Sequence, residues 1–328
     1  MTLRLAFFGT GEFAVPSLKA LVAAGHEVAL VVCRPDRPRG RGHQTQPPPL
    51  KQAAQELGLR VWQPERVRDP ESQKTFASEP LDLACVVSYG QILPATVLEF
   101  PRLGCVNVHA SLLPRWRGAA PIEWALASGD GETGVCVQKM VQRLDAGDVL
   151  LSRRRVLGPE DDAPGLHREL ALSGAGLLVE AVRGLESGTL KGAAQDESRV
   201  SLAPMLKKSD GFLDFTRPRA EILNRFRAFK ARPGAGTALQ GGEALKVLAL
   251  EDGGEATGEA GRLLEIAGQG LRIACKDGSL WLERVLPGSG RPMDAAAYAR
   301  GRRLEPGALF TAPAHQDPPS GDVDAGKR

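Results

Sequence analysis

The feature that most constrains this chain is a change of rhythm near residue 188. Before it, short apolar runs alternate with stretches whose apolar residues recur at helical spacing. The runs at 3–8, 28–33, 59–62, 83–87, 105–109 and 135–141 are too short for helices and rich in valine and leucine, so they read as buried strands. Segment 12–25 places Phe13, Val15, Leu18, Leu21 and Val22 at helical intervals. Segments 50–57, 121–127 and 166–185 also read as helices. Strands alternating with helices imply parallel βαβ units, hence a layered α/β domain over 1–188. Beyond it, 189–207 is polar, aperiodic and suited to a linker. A helix at 220–229 then precedes short β-like runs at 237–239, 245–250, 261–266, 270–275 and 279–285, separated by glycine. Regular short strands with turn signals predict a small β-barrel over 208–311. The Pro-, Gly-, Asp- and Ala-rich end, 312–328, reads as a disordered tail.

The length of 328 residues fits two domains, and 42% hydrophobic with 25% charged residues excludes wholesale disorder. No run approaches the ~18–20 apolar residues of a membrane helix, and the apolar start is too short for a signal peptide. The expectation is a cytoplasmic protein with no membrane partner, acting as a monomer. Cys33, Cys85, Cys105, Cys136 and Cys275 are odd in number and contain no C-x-x-C pair. They predict buried free thiols, with neither a disulfide framework nor a metal site. The net charge of +3 is unevenly spread. Residues 1–190 carry 21 basic and 21 acidic side chains, whereas 199–232 alone carry nine basic against three acidic.

Two strand ends attract attention. Gly9-Thr10-Gly11-Glu12-Phe13-Ala14 fits the G-x-G-x-x-A dinucleotide fingerprint, with Asp36 about twenty residues on. Asp36 lies in a proline- and arginine-rich loop beyond its strand, a poor place for a ribose ligand, and any tight strand-to-helix turn favours glycine. The second strand end is richer. In Cys105-Val106-Asn107-Val108-His109, period two puts Asn107 and His109 on one face. Ligands of open α/β sheets bind outside the carboxyl ends of strands. Asp145, in the loop Leu144-Asp145-Ala146-Gly147-Asp148, meets His109 if the two strands are neighbours, and a carboxylate beside an imidazole orients it. The bland alternative is a satisfied structural histidine beside an ordinary polar turn.

The order of motifs adds to this. Asn107-Val108-His109, Ser111-Leu112-Leu113-Pro114 and Leu144-Asp145-Ala146-Gly147-Asp148 resemble the signature of the folate-dependent formyltransferases. The block SLLPRWRGAAPI (111–122), the early loop PDRPRGRG (35–42), Val87–Pro94 and 222–237 resemble the branch of that family acting on methionyl-tRNA, over about 1–310. Departures are Gly11, where the family commonly has proline, Val141-Gln142-Arg143 before Asp145, and Lys230-Ala231-Arg232. The resemblance implies a Rossmann-like N-terminal formyltransferase domain and a C-terminal OB-like β-barrel. It implies formyl transfer from 10-formyltetrahydrofolate to the α-amine of methionyl-initiator tRNA, without a metal. Asn107 and His109 would be donors to the formyl oxygen, with Asp145 orienting His109 and accepting a proton. Ser111, Leu112, Leu113 and Pro114, together with Gln91, Ile92 and Leu93, would contact the folate.

Segment 34–43 holds four arginines and one aspartate, with prolines and glycines that disfavour regular structure. Arg37, Arg39 and Arg41 are the candidate tRNA contacts there, and Lys207 and Lys208 those in the basic segment 199–232. The alternatives are a folate enzyme acting on a small amine such as a sugar nucleotide or purine precursor, a nicotinamide oxidoreductase, and an inert RNA-binding module. A small amine explains neither the basic loop nor the second domain.

Overall fold

The computed structural model describes residues 3–39, 44–288 and 290–312. The described chain forms two compact units, one within Met1–Ala125 and Asp130–Met205, the other within Leu126–Gly129 and Leu206–Arg328.

In the first unit, β1 (Arg4–Gly9), β2 (Glu27–Val32), β3 (Val61–Trp62), β4 (Leu83–Val87), β5 (Cys105–His109), β6 (Glu132–Lys139) and β7 (Val149–Val156) form one sheet in the order β7-β6-β5-β4-β1-β2-β3. The pairs from β3 to β5 are parallel, while β5–β6 and β6–β7 are antiparallel. The expectation of parallel units is therefore corrected at one margin. There β6 returns against β5, and β7, unmarked in the sequence reading, follows it. The strand β7 escapes an apolar-run search because Arg153, Arg154 and Arg155 occupy its exposed edge.

The parallel strands are apolar on both faces because both are covered. Leu5 and Phe7 pack with Leu18 and Leu21 of α1 (Val15–Ala23) and with Leu177, Leu178, Ala181 and Val182 of α2 (Ala163–Glu186). Ala6 and Phe8 face the other way, onto Phe76, Tyr89 and Val97. α2 starts at Asp162, whose side chain caps Gly165 N–H at 2.8 Å. It approaches β5 and β6 closely at Gly174, where a Cβ would stand 2.8 Å from Val108 Cγ1. Helix and sheet thus clamp the strand that carries Asn107 and His109.

The second unit holds β8 (Gly236–Leu239), β9 (Ala244–Asp252), β10 (Leu263–Ala267), β11 (Gly270–Cys275), β12 (Gly278–Pro287) and β13 (Phe310–Thr311), antiparallel in the order β10-β11-β12-β9-β8-β13. Met293–Asp294 adds to β12. A bridge between Arg262 and Leu309 joins the two margins of the sheet. Helices α3 (Arg219–Phe229) and α4 (Ala295–Arg302) contribute Ile222, Phe226, Tyr298 and Ala299 to its core, around Val247, Ile273 and Leu282.

All five cysteines are free and buried. Burial pushes the Cys33 and Cys136 thiols up to about 11. Among the described residues, no helix is long and apolar enough to cross a membrane.

Candidate active site

Three loops meet at the carboxyl end of β5. The strand delivers Asn107 and His109 there, opposite Gln138 and Cys136 of β6. His109 is 5% exposed. Its Nε2 lies 2.8 Å from the Trp116 carbonyl, and a carbonyl only accepts, so Nε2 carries a hydrogen. Nδ1 faces Asp145 Oδ2 at 3.7 Å. The antiparallel return of β6 brings Asp145 to the histidine, the neighbourhood on which the sequence argument depended.

The Asp145 carboxylate is held from two further sides. Gly118 N–H donates to Oδ2 at 3.0 Å, and Gln138 Nε2 donates to Oδ1 at 2.9 Å. Gln138 is 1% exposed, so this amide is committed to the carboxylate. Asp145 has φ 46° and Trp116 φ 62°. Each L residue in that region costs roughly 1–2 kcal/mol, and such strain concentrates where the surroundings over-determine a functional geometry. The turn closes at Gly147, where any Cβ would stand 1.8 Å from the Lys139 carbonyl oxygen. Glycine is obligatory there. Asn107 is half-buried, and among the described residues its side-chain amide has no hydrogen-bond partner. It is an unspent donor beside a histidine–carboxylate pair.

The residues expected to hold folate fall into two places. Leu112, Leu113 and Pro114 line a cavity of about 230 Å³ with Cys136, Val149, Ser152, Gln195 and others. Ser111 is buried, and its hydroxyl donates to the Arg115 carbonyl at 2.6 Å. Gln91 and Ile92 line a separate cavity of about 280 Å³ with Arg34, Arg37, Arg66, Arg68, Pro35 and Glu65. The Gln91 amide is engaged with the chain, accepting from Val67 N–H at 2.9 Å. Ile92 is 87% exposed, and Leu93 is buried in the core.

Of the tRNA candidates, Arg37 lines the arginine-rich cavity and pairs with Glu65 at 2.7 Å. Arg37–Arg39 forms a short strand paired with Gln44–Gln46, which corrects the expectation of an irregular segment. The Arg39 side chain and all of Arg41 lie outside what is described. Lys207 and Lys208 are exposed in the second unit. Part of the basic segment around them is neutralised, since Arg217 pairs with Asp214 and Glu221, and Arg219 with Asp252.

The fingerprint at the end of β1 is structural. A Cβ on Gly9 would stand 2.7 Å from the Val87 carbonyl oxygen, whereas one on Gly11 would meet nothing within 4 Å. Asp36 is committed to Gln63 and Lys51, each at 2.7 Å, and these partners hold its carboxyl below the usual carboxylate range. The sequence reading missed Gln138, Arg117 and Gln195. Gln138 and Gln195 are single polar residues with no spacing signal, and Arg117, though inside the block 111–122, is given its role only by its hydrogen bonds.

A family model described as formyl transferase matches residues 3–182, and one described as formyl transferase, C-terminal domain, matches 205–303. The chain is 44% identical over 305 residues to the methionyl-tRNA formyltransferase of Geobacter sulfurreducens, covering 93% of this chain and 96% of that protein. It is 46% identical to that of Ectopseudomonas mendocina, covering 92% and 96%. Among solved structures, HypX from Aquifex aeolicus in complex with tetrahydrofolic acid superposes with a TM-score of 0.62 at 18% identity. That match covers 91% of this chain and about half, 47%, of HypX, and it shows likeness of fold alone.

Proposed function

The chain belongs to the formyl transferase family, and from that premise we propose that it transfers a formyl group from 10-formyltetrahydrofolate to the α-amine of methionyl-initiator tRNA. The observation that carries this reading is a likeness running through both units to relatives named for that reaction. The donor supplies the formyl carbon as electrophile. The chain must then stabilise charge on the formyl oxygen and take a proton from the amine.

Asn107 is assigned the first task. Its amide is a fixed donor at a strand end, and such donors are usually the largest single contribution to acyl-transfer catalysis. His109 is the second donor, its Nε2–H turning from the Trp116 carbonyl toward the substrate. Asp145 orients the His109 ring, accepts the amine proton, directly or through water, and helps return a proton to N10 as the bond from N10 to the formyl carbon breaks and tetrahydrofolate leaves. Only a neutral amine attacks, so this proton acceptor is indispensable to the reaction.

Ser111, Leu112, Leu113 and Pro114 bind the folate, and Gln91, Ile92 and Leu93, which lie apart from that cavity, are assigned to it on the family resemblance alone. Aliphatic walls with a few polar groups suit a flat, amide-rich ring system. Arg37, beside Arg34, Arg66 and Arg68, contacts phosphates of the tRNA end, as do Arg39 and Arg41, because a guanidinium fork matches phosphate geometry. The second unit is read as an OB-like barrel that shares the tRNA through Lys207 and Lys208. The enzyme is read as a monomer that meets its tRNA substrate in the cytoplasm.

The test is transfer of labelled formyl from 10-formyltetrahydrofolate to methionylated initiator and elongator tRNA. Label on initiator methionyl-tRNA is the expected result; transfer to small sugar amines but to neither tRNA overturns the reading.

A further inference from the structure

Residues 193–203 follow α2 without helical or strand periodicity, yet they send one side chain into the turn that carries Asp145. Gln195 Nε2 donates to the carbonyls of Asp145 at 2.8 Å and Gly147 at 2.7 Å. Chemistry fixes the orientation of this amide. Its Oε1 accepts from Arg117 Nε at 3.1 Å and Nη2 at 2.8 Å, and a guanidinium only donates, so the nitrogen must face the turn. Arg117 is itself 3% exposed and pairs with Glu197 at 2.9 Å. Arg143, just before Asp145, reaches the same glutamate. Backbone pairing of Leu202–Ala203 with Arg117–Gly118 anchors the segment, and Gly118 N–H is one of the Asp145 carboxylate's donors.

One amide nitrogen thus ties together two carbonyls of a turn whose first residue sits at φ 46°. Without that tie the backbone has a downhill path to an ordinary conformation, which swings the carboxylate away from His109. We propose that Gln195 is a positioning residue for formyl transfer, holding turn 145–147 so that the Asp145 carboxylate faces His109, with Arg117 locking its amide. The proposal rests on the assignment of Asp145 to the reaction.

The experiment compares Gln195→Glu and Gln195→Met, alone and combined with Asp145→Asn, in the formyl-transfer assay on the full chain. Both variants keep the side-chain length and remove the donor; if the glutamate variant fails to fold, the methionine variant carries the comparison. The expected result is a fall in kcat on the order of 10²-fold, the usual consequence of a small misplacement, with KM for tRNA unchanged. In the Asp145→Asn background the same change lowers kcat no further, because the two residues act as one unit. Wild-type kcat in the Gln195 variants beside an inactive Asp145→Asn overturns the positioning role and leaves the Asp145 assignment standing. A loss that adds in full to that of Asp145→Asn, or that falls on KM alone, also overturns it. Full turnover by Asp145→Asn overturns the assignment itself.

Discussion

Two turns at strand ends of the same sheet invite comparison. The turn after β1, Gly9-Thr10-Gly11, fits a general dinucleotide pattern, whereas the turn after β6, Leu144–Asp148, carries only a motif particular to the family it resembles. The first is made of packing. Gly9 is squeezed by Val87 and Ala14, Gly11 has open space, and the one polar side chain between them, Thr10, bonds the Tyr89 carbonyl. The second is made of polar convergence, with a carboxylate facing a histidine, held by an amide and a backbone N–H, at a strained φ. Tight strand-to-helix turns require glycine whatever they bind. Backbone strain and committed donors are paid for only where something depends on them.

The sharpest way to break this contrast is Asp145→Asn. A proton acceptor contributes about 10²–10⁴-fold, so kcat should fall by that order while donor binding, measured by fluorescence quenching, persists. Asn107→Ala comes next, with kcat lowered on the order of 10²–10³-fold. Near-normal turnover in a folded Asn107→Ala protein removes that residue from the mechanism. At the other turn, Gly9→Ala should cost about 1–3 kcal/mol of stability through overpacking, read as a lowered Tm, with kcat per folded molecule intact. Gly11→Ala should stay within about 0.5 kcal/mol of wild type, and neither variant should alter binding of nicotinamide nucleotides.

The smallest effect concerns Glu197. Arg117 first, then Arg143, hold its carboxyl below the usual range. A depressed folded pKa contributes stability above the unfolded value of about 4.3, and that contribution is lost as pH falls through the folded value. Acid titrations of wild type and Glu197→Gln should therefore differ near neutral pH and converge at the acid end. A constant offset at every pH contradicts the linkage.

Much of this was legible in the sequence. The buried strands were visible because strands covered on both faces are apolar along their length, and Asn107 and His109 share a face because strand geometry has period two. Glycine-spaced runs announced the second unit, and the motif order announced the family. The edge strand β7 and the helix Pro70–Ala77 were not legible, since three consecutive arginines, Arg153–Arg155, break the apolar run and only Phe76 of that helix is buried. Residues 189–207 looked like a bare linker, although Gln195, Leu202 and Ala203 bond to the chain around Asp145.

The sequence by itself determined which chemical groups stand at which strand ends, because local periodicity places them without reference to the rest of the chain. Only the tertiary structure decided that β6 returns antiparallel beside β5, that the Asp145 carboxylate is held between Gly118, Gln138 and His109, and that Gln195 reaches the Asp145 turn from fifty residues away. Hydrogen bonds between distant residues leave no period in a sequence, so what aims the carboxylate becomes visible only once the chain has closed on itself.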